Sequence, residues 1–470
     1  MNTDISHAWE YHNLTKHSWE SVRRSGHALD WSNHPRPFKI YPDLEPLALP
    51  REFASTPAPV PFDLSQLARL LYFTGGITKT RQYPGGEIQF RAAASTGALY
   101  EIELYVVCGP LEDLAAGVYH FSPAEMALRP LRRGDFRGLL GVATPLLVVS
   151  TGTYWRNAWK YQARTYRHFG WDNGTMLANL HAMAAAQGWP AHLECGFVDA
   201  DLNGLLGMDT EREVALTMVR LGQPDSSPPP PPELPRLSPE TIPTIPYSRR
   251  EVDYPEMRAM HQASSLASAE EVAAWGAPAQ PRAPGPLPGG ASIEEVILRR
   301  GSARRFARQP ITQAELAAIL DCASGGLAAD FPGFIELYPI VHAVEGLDSG
   351  AYYYRGPGQS LELLKPGDFR RQAAWLGLEQ DLPGDAAVAV FLLADLGRCL
   401  DRLGNRGYRA VHLEAGLLGG RMYLAAYAQD LGATGLTFYD DEVVEFFSPH
   451  ARGKSAIFLM AFGHPARRET

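Results

Sequence analysis

The sequence predicts an α+β fold built from two tandem copies of one domain. Three observations carry this. Motifs recur at fixed offsets: Arg164-Thr165-Tyr166-Arg167 returns 242 positions later as Arg406-Gly407-Tyr408-Arg409, and Gly174 returns as Gly416. Leu104-Tyr105 and Gly117-Val118-Tyr119 return 233 positions later as Leu337-Tyr338 and Gly350-Ala351-Tyr352, which leaves a nine-residue indel between the matched blocks. Both copies carry strand and helix patterns in one order without regular βαβ alternation, which favours α+β over a doubly wound sheet. A proline-rich stretch separates them.

The elements follow in order. The first copy runs from about residue 64 to Gly222. A helix is predicted over 64–73, then an extended run over 102–107 and an apolar run over 146–149, the length of a strand covered on both faces. After the Tyr-Arg pair, Met176, Leu177, Leu180, Met183, Ala184 and Gln187 form one stripe of a long amphipathic helix. A strand over 215–221 ends at Gly222. Residues 223–290 read as a linker, because Pro228 to Pro232, Pro235, Pro239, Pro243 and Pro246 remove amide donors and favour extended chain. Within it, 254–275 has the pattern of a helix, and 277–290 is again rich in Pro and Gly. The second copy repeats the order: helices over 293–300 and 313–323, an extended run over 335–344, a buried strand over 388–393, and a strand over 456–462 before Gly463. The predicted domains are therefore 1–222 and 291–470, joined by 223–290.

Composition excludes several classes. With 470 residues, 45% hydrophobic and 20% charged, the chain has the makeup of a soluble globular protein. A net charge of −9 gives no electrostatic reason to bind nucleic acid or an anionic membrane. The N-terminus is polar, and no apolar run approaches the roughly 20 residues that span a bilayer. Four isolated cysteines read as reduced thiols in a cytoplasmic protein. Fourteen histidines form no metal-ligand spacing, so no metal site is expected.

The copies differ where chemistry is expected. The second opens with Arg300-Gly301-Ser302-Ala303-Arg304, whose guanidiniums and hydroxyl suit a phosphate; alone, the run is equally a solvated basic turn at a helix end. The first has the small loop Ser95, Thr96, Gly97, Ala98 and Leu99, whose amides suit a flat or anionic ligand, or simply a turn. Asp330-Phe331-Pro332-Gly333-Phe334 stands there in the second copy. Lys160-Tyr161 precedes the first Tyr-Arg pair, and Arg402-Leu403 stands at that place in the second. Such a pair is a candidate for proton transfer, or a surface lysine beside a packed tyrosine.

These residues together resemble the FMN-dependent nitroreductase superfamily, and more closely its SagB-type branch (thiazoline/oxazoline oxidases, peptide dehydrogenases) in tandem form. Tyr11-His12-Asn13-Leu14-Thr15-Lys16 and Phe38-Lys39-Ile40-Tyr41-Pro42 resemble that branch's lead-in. Arg300-x-Ser302-x-Arg304-x-Phe306 resembles the motif that holds the FMN phosphate, and Ser95-Thr96-Gly97-Ala98-Leu99-Tyr100 the SAGALYP loop, with Ala94 and Glu101 in place of the flanking prolines. Lys160-Tyr161-x-x-Arg164-x-Tyr166-Arg167 resembles the KYxxRxYR signature, and Gly435, Leu436 and Thr437 the loop passing the flavin N5.

The resemblance implies two nitroreductase-like domains, each a mixed or antiparallel sheet flanked by helices. They would close as an intrachain pseudo-dimer and act as a monomer. It implies one composite FMN site: Arg300, Ser302, Arg304 and 435–437 from the second copy, 95–99 and the catalytic Lys160-Tyr161 from the first, with Arg467 or Arg468 adding to the phosphate's neutralisation. The other pseudo-site would be degenerate. Three activities fit: an oxidase or dehydrogenase of a peptide-derived or carrier-bound heterocycle, an NAD(P)H-dependent nitro, quinone or ene reductase, or a non-catalytic scaffold of a peptide-modifying complex. There is no GxGxxG after a strand, so any nicotinamide would visit the flavin rather than a dinucleotide fold.

Overall fold

The computed structural model describes residues 2–53, 62–83, 86–224, 227–230, 232–233, 237, 241–276, 287–358 and 361–466. The strands are β1 (Leu47–Ala48), β2 (Ile77–Tyr83), β3 (Gly86–Arg91), β4 (Ile102–Cys108), β5 (Gly117–Ser122), β6 (Ala127–Arg133), β7 (Leu146–Thr153), β8 (Ala191–Glu194) and β9 (Glu213–Leu221) in the first half. The second half has β10 (Ile335–Val341), β11 (Gly350–Tyr354), β12 (Leu361–Pro366), β13 (Val388–Ala394), β14 (Gly432–Leu436) and β15 (Ser455–Gly463). They form a sheet ordered β1-β6-β5-β4-β7-β9-β8, a sheet ordered β12-β11-β10-β13-β15-β14, and a separate β2–β3 hairpin. Every strand pair in them is antiparallel. The fold is α+β, and the two large sheets share one topology apart from the additional edge strand β1.

The registers repeat as well. Ile102 pairs with Gly152 across β4 and β7, and Ile335 with Ala394 across β10 and β13, at the same 233 and 242 offsets. The nine-residue indel therefore falls between these strands. There the first half has a short turn, Arg137–Leu140, and the second has two helices, Arg370–Leu376 and Asp381–Asp385. The central strands β7 and β13 are buried along their whole length, which accounts for their unbroken apolar sequence.

Two long helices, Thr165–Ala186 and Arg406–Ala428, cross at the centre of the molecule. Their backbones touch: a Cβ on Gly174 would meet the Leu417 amide nitrogen, and one on Gly416 would meet the Trp171 carbonyl. The apolar core is continuous through both halves, from Leu104 and Leu177 to Leu417 and Phe458.

The stretch 254–275 is not one helix but two, Pro255–Ala263 and Ala269–Trp275. The break has a physical cause. The Leu266 amide donates to the Asp199 carboxylate at 2.9 Å, and its carbonyl accepts from the Asp199 amide at 3.1 Å, so the chain between them must run extended. The N-terminal segment does the same: the His17 amide donates to Asp440 at 2.8 Å, and the His17 carbonyl accepts from the Asp440 amide at 3.0 Å. Met257, Met260, Leu266 and Trp275 are buried, so this part of the proline-rich connector packs as a second lead-in.

The recurring Tyr-Arg pairs cross between halves. Arg164 and Arg167 bind Asp440 at 3.0 and 2.6 Å, and Arg406 and Arg409 bind Asp199 at 2.5 and 2.9 Å. Burial pushes both aspartates toward the neutral form. The paired guanidiniums outweigh it and hold both well below the usual carboxylate range.

Candidate active site

The loop after the β2–β3 hairpin is a tight turn. Gly97 has φ 67°, and Ala98 and Tyr100 have φ 55° and 52°, left-handed conformations that cost a residue with a side chain. The turn is held from inside. Asp172, on the first long helix, accepts from the Ser95 hydroxyl, the Thr96 amide and the Thr96 hydroxyl, each at 2.7 Å. The amides of Ala98 and Tyr100 bond back to the Ser95 carbonyl and hydroxyl at 3.0 and 2.9 Å. The loop's hydroxyls are thus turned onto Asp172 rather than outward. Asp172 escaped the sequence reading, yet it carried a signal: the acidic residue Glu414 stands 242 positions on. Glu414 does the same work in the second half, accepting from the Phe334 and Ile335 amides at 2.8 and 3.2 Å.

The helix Tyr154–Tyr161 brings up Lys160 and Tyr161. It is anchored by Arg156, fully buried, which pairs with Glu103 and donates to the Pro37 carbonyl at 2.8 Å. Asn157 ties it to the loop by donating to the Thr96 carbonyl at 3.3 Å. The Tyr161 hydroxyl lies against Gly97, where a Cβ would sit 2.9 Å away. Burial raises the Tyr161 phenol, Asp172 and Glu101 raise it further, and Arg304 opposes them. Lys160 is exposed, its ammonium 5.2 Å from the centre of the Tyr161 ring.

The second half delivers its basic motif to this place. The Arg300 guanidinium donates to the carbonyls of Ala92 and Arg91 at 2.8 and 3.1 Å, just before the serine loop. Arg304 is exposed, and its charge acts on Tyr161. Ser302 shares a 3.1 Å hydrogen bond with the Tyr423 hydroxyl, which accepts from the Gly435 amide at 2.7 Å. Leu436 packs on Ala303 and Phe306, and the Ala303 amide donates to the Ala433 carbonyl at 2.9 Å. Gly435 leaves no room for a side chain, since a Cβ would sit 2.8 Å from the Phe458 ring. The Thr437 hydroxyl is buried with no partner among the described residues. The segments around 95–99, 160–161, 300–304 and 435–437 thus adjoin, drawn from both halves. Arg467 and Arg468 lie outside the described residues.

At the pseudo-symmetric place the strand edge is taken up by the chain itself. Leu193 and Cys195 stand 242 positions before Gly435 and Thr437. The Leu193 amide donates to the Ala328 carbonyl at 2.8 Å, and the Asp330 amide donates to the Leu193 carbonyl at 3.1 Å. The Asp330 carboxylate accepts from the Cys195 and Gly196 amides at 2.9 and 2.6 Å. A segment of the second half thus pairs along the edge of β8, and among the described residues no strand does so along β14. Among the described residues no group of three potential metal ligands occurs, and no helix is long and apolar enough to cross a membrane.

Comparison with known proteins agrees with this architecture. The family model described as the Nitroreductase family matches residues 297–464. A protein of Methanocaldococcus jannaschii bearing the provisional name nitroreductase is 30% identical over 165 residues, 33% of this chain and 82% of that protein. A crystal structure of a provisionally named nitroreductase from Anabaena variabilis is similar at a TM-score of 0.80 and 27% identity, over 98% of this chain and 100% of that one. That likeness runs through both halves.

Proposed function

The chain belongs to the nitroreductase family, and on that premise we propose that it is an FMN-dependent oxidase or dehydrogenase of the SagB type, acting on a peptide-derived or carrier-bound heterocycle. The observation that carries this reading is the reach of Arg300 across the two halves, where its guanidinium donates to the carbonyls of Ala92 and Arg91 just before the serine loop. The residues present fit the cofactor. Arg304 and Ser302 would hold its phosphate, with Arg300 steadying the junction between the halves. The strand edge at 435–437, kept thin by Gly435 and carrying the unpartnered Thr437 hydroxyl, would lie along its ring. When bound, FMN supplies hydride transfer.

The protein's own part is to orient and to move a proton. Tyr161 stays protonated at neutral pH because burial and the nearby carboxyl groups disfavour its anion. Lys160, at the mouth of the site, is the candidate for proton exchange with solvent.

Two observations favour an NAD(P)H-dependent reductase instead: Lys160 is solvent-exposed rather than enclosed with Tyr161, and the relatives bear nitroreductase names. The absorbance spectrum of purified protein is the first test, and a colourless protein that takes up no FMN would end both enzymatic readings. Bleaching of the flavin by NAD(P)H without any peptide would select the reductase. Bleaching by a heterocycle-bearing peptide alone would select the oxidase.

A further inference from the structure

We propose that Glu101 and Asp172 share a single proton beside Tyr161, and that this acid pair is the store through which the site takes up and returns its substrate proton. The relay rests on the flavin reading above; the shared proton does not.

Comparison of the two halves isolates Glu101. Holding the loop requires one acid, and Glu414 shows this, since it caps the equivalent segment alone. The residue 233 positions after Glu101 is Phe334, so the fold has no architectural need for a carboxyl there. Yet Glu101 is fully buried. One of its oxygens lies 3.4 Å from the Ser95 hydroxyl, and the other has no partner among the described residues. The same Ser95 hydroxyl donates to Asp172 at 2.7 Å, so one hydroxyl brings the two buried carboxyl groups together.

Two carboxyl groups in such contact, away from water, cannot both be ionised. The proton belongs on Glu101. Asp172 receives two hydroxyls and an amide, which stabilise its charge, while Glu101 has no comparable donors. Burial and then the Asp172 charge both push the Glu101 carboxyl well up from its ordinary value. The other charged or titratable groups facing the pair are Arg156 from the Lys160 helix, Arg91 from the end of β3, Tyr100 and Tyr161. Both arginines are directed at Glu103: Arg156 forms an ion pair with it, and Arg91 lies 3.9 Å away. They do not displace the proton.

The pair reaches the site through Tyr161, whose hydroxyl abuts Gly97, next to the Thr96 that Asp172 holds. A proton leaving a substrate bond goes to the Tyr161 oxygen while the Tyr161 proton goes to the Asp172 carboxylate. The electron pair of the broken bond stays on the substrate, whose two-electron oxidation a bound FMN would supply. The acid pair passes from one proton and a single negative charge to two protons and no charge. In the reductive direction the same proton moves outward.

The test has two arms. Infrared difference spectroscopy on the protein without added flavin should show a protonated carboxyl at pH 7 in the native chain. Glu101→Gln should lose it, and Asp172→Asn should shift its frequency, since Glu101 stays buried but loses the neighbouring charge. Burial also raises Glu194 and Glu414 to about 7, so the deciding signal is the native-minus-Glu101→Gln difference, and a difference spectrum without a protonated-carboxyl band overturns the proposal. In flavin-loaded protein, the pH profile of turnover should lose one ionisation in Glu101→Gln at unchanged flavin content. Glu101→Leu, which keeps the position apolar like Phe334, serves as the second variant if the glutamine fails to fold. An identical pH profile in native and variant chains overturns the relay. Protein that takes up no flavin removes the relay together with the preceding functional reading, and the infrared arm still decides the shared proton.

Discussion

Single residues show how tightly the candidate site is specified. Gly97 meets two demands at once: a left-handed φ of 67° and a Tyr161 hydroxyl where a Cβ would stand. Gly97→Ala should therefore cost about 1–2 kcal/mol from the backbone alone and push Tyr161 out of place. The expected outcome is a folded protein whose turnover drops at least tenfold, checked by circular dichroism beside a kinetic assay. Lys160→Ala makes the complementary case. Lys160 is exposed at the end of its helix, so its loss should leave stability and flavin content unchanged while turnover falls. Unchanged turnover would remove Lys160 from the chemistry. Gly97, Tyr161 and Lys160 could be picked out in the sequence because they lie in contiguous motifs. Asp172 could not, because its three bonds to the loop join residues about 76 positions apart.

At the level of elements, the Tyr-Arg repeats that betray the duplication are structural clamps. The start of each long helix sends two buried arginines to an aspartate of the other half, Arg164 from the residue just before the first helix. Asp440→Asn would strand Arg164 and Arg167 without an anion, which should cost about 3–5 kcal/mol. The pH dependence has a definite sign. Asp440 is held below its unfolded value, so its contribution is complete above about pH 4 and is lost as the pH falls toward the lower folded value. The gap in Tm between native and Asp440→Asn protein should stay constant from pH 5 to pH 8 and narrow below pH 4. The second lead-in was harder to read. Proline content dominates its neighbourhood, and its likeness to the N-terminus reduces to scattered matches such as His12 with His261 and the cap serines Ser18 with Ser268. The central strands were legible as apolar runs, but sheet order was not, since it depends on pairing between distant segments. The closure of the second pseudo-site was not, because strand pairing of 328–330 with β8 leaves no periodic trace.

For the whole molecule, asymmetry between the halves has a countable consequence. Among the described residues no strand pairs along the outer edge of 435–437; its counterpart is covered by 328–330, with Asp330 on the Cys195 and Gly196 amides. Flavin titration should therefore saturate at one FMN per chain, and two equivalent tight sites would refute the composite arrangement. The same closure dictates that neither half stands alone. Arg167 and Arg406 are fully buried, and each is neutralised by an aspartate of the opposite half. The glycines at the crossing of the long helices fit only each other's backbones. An isolated half would expose an apolar helix face carrying two unpaired guanidiniums, a costly combination with nothing to offset it. Residues 291–470 expressed alone should be insoluble or molten and bind no flavin. Co-expression with residues 1–290 should restore a soluble one-to-one complex whose flavin content matches the intact chain, measured by sedimentation and absorbance. A folded, flavin-binding second half on its own would show that the site does not need the serine loop of the first.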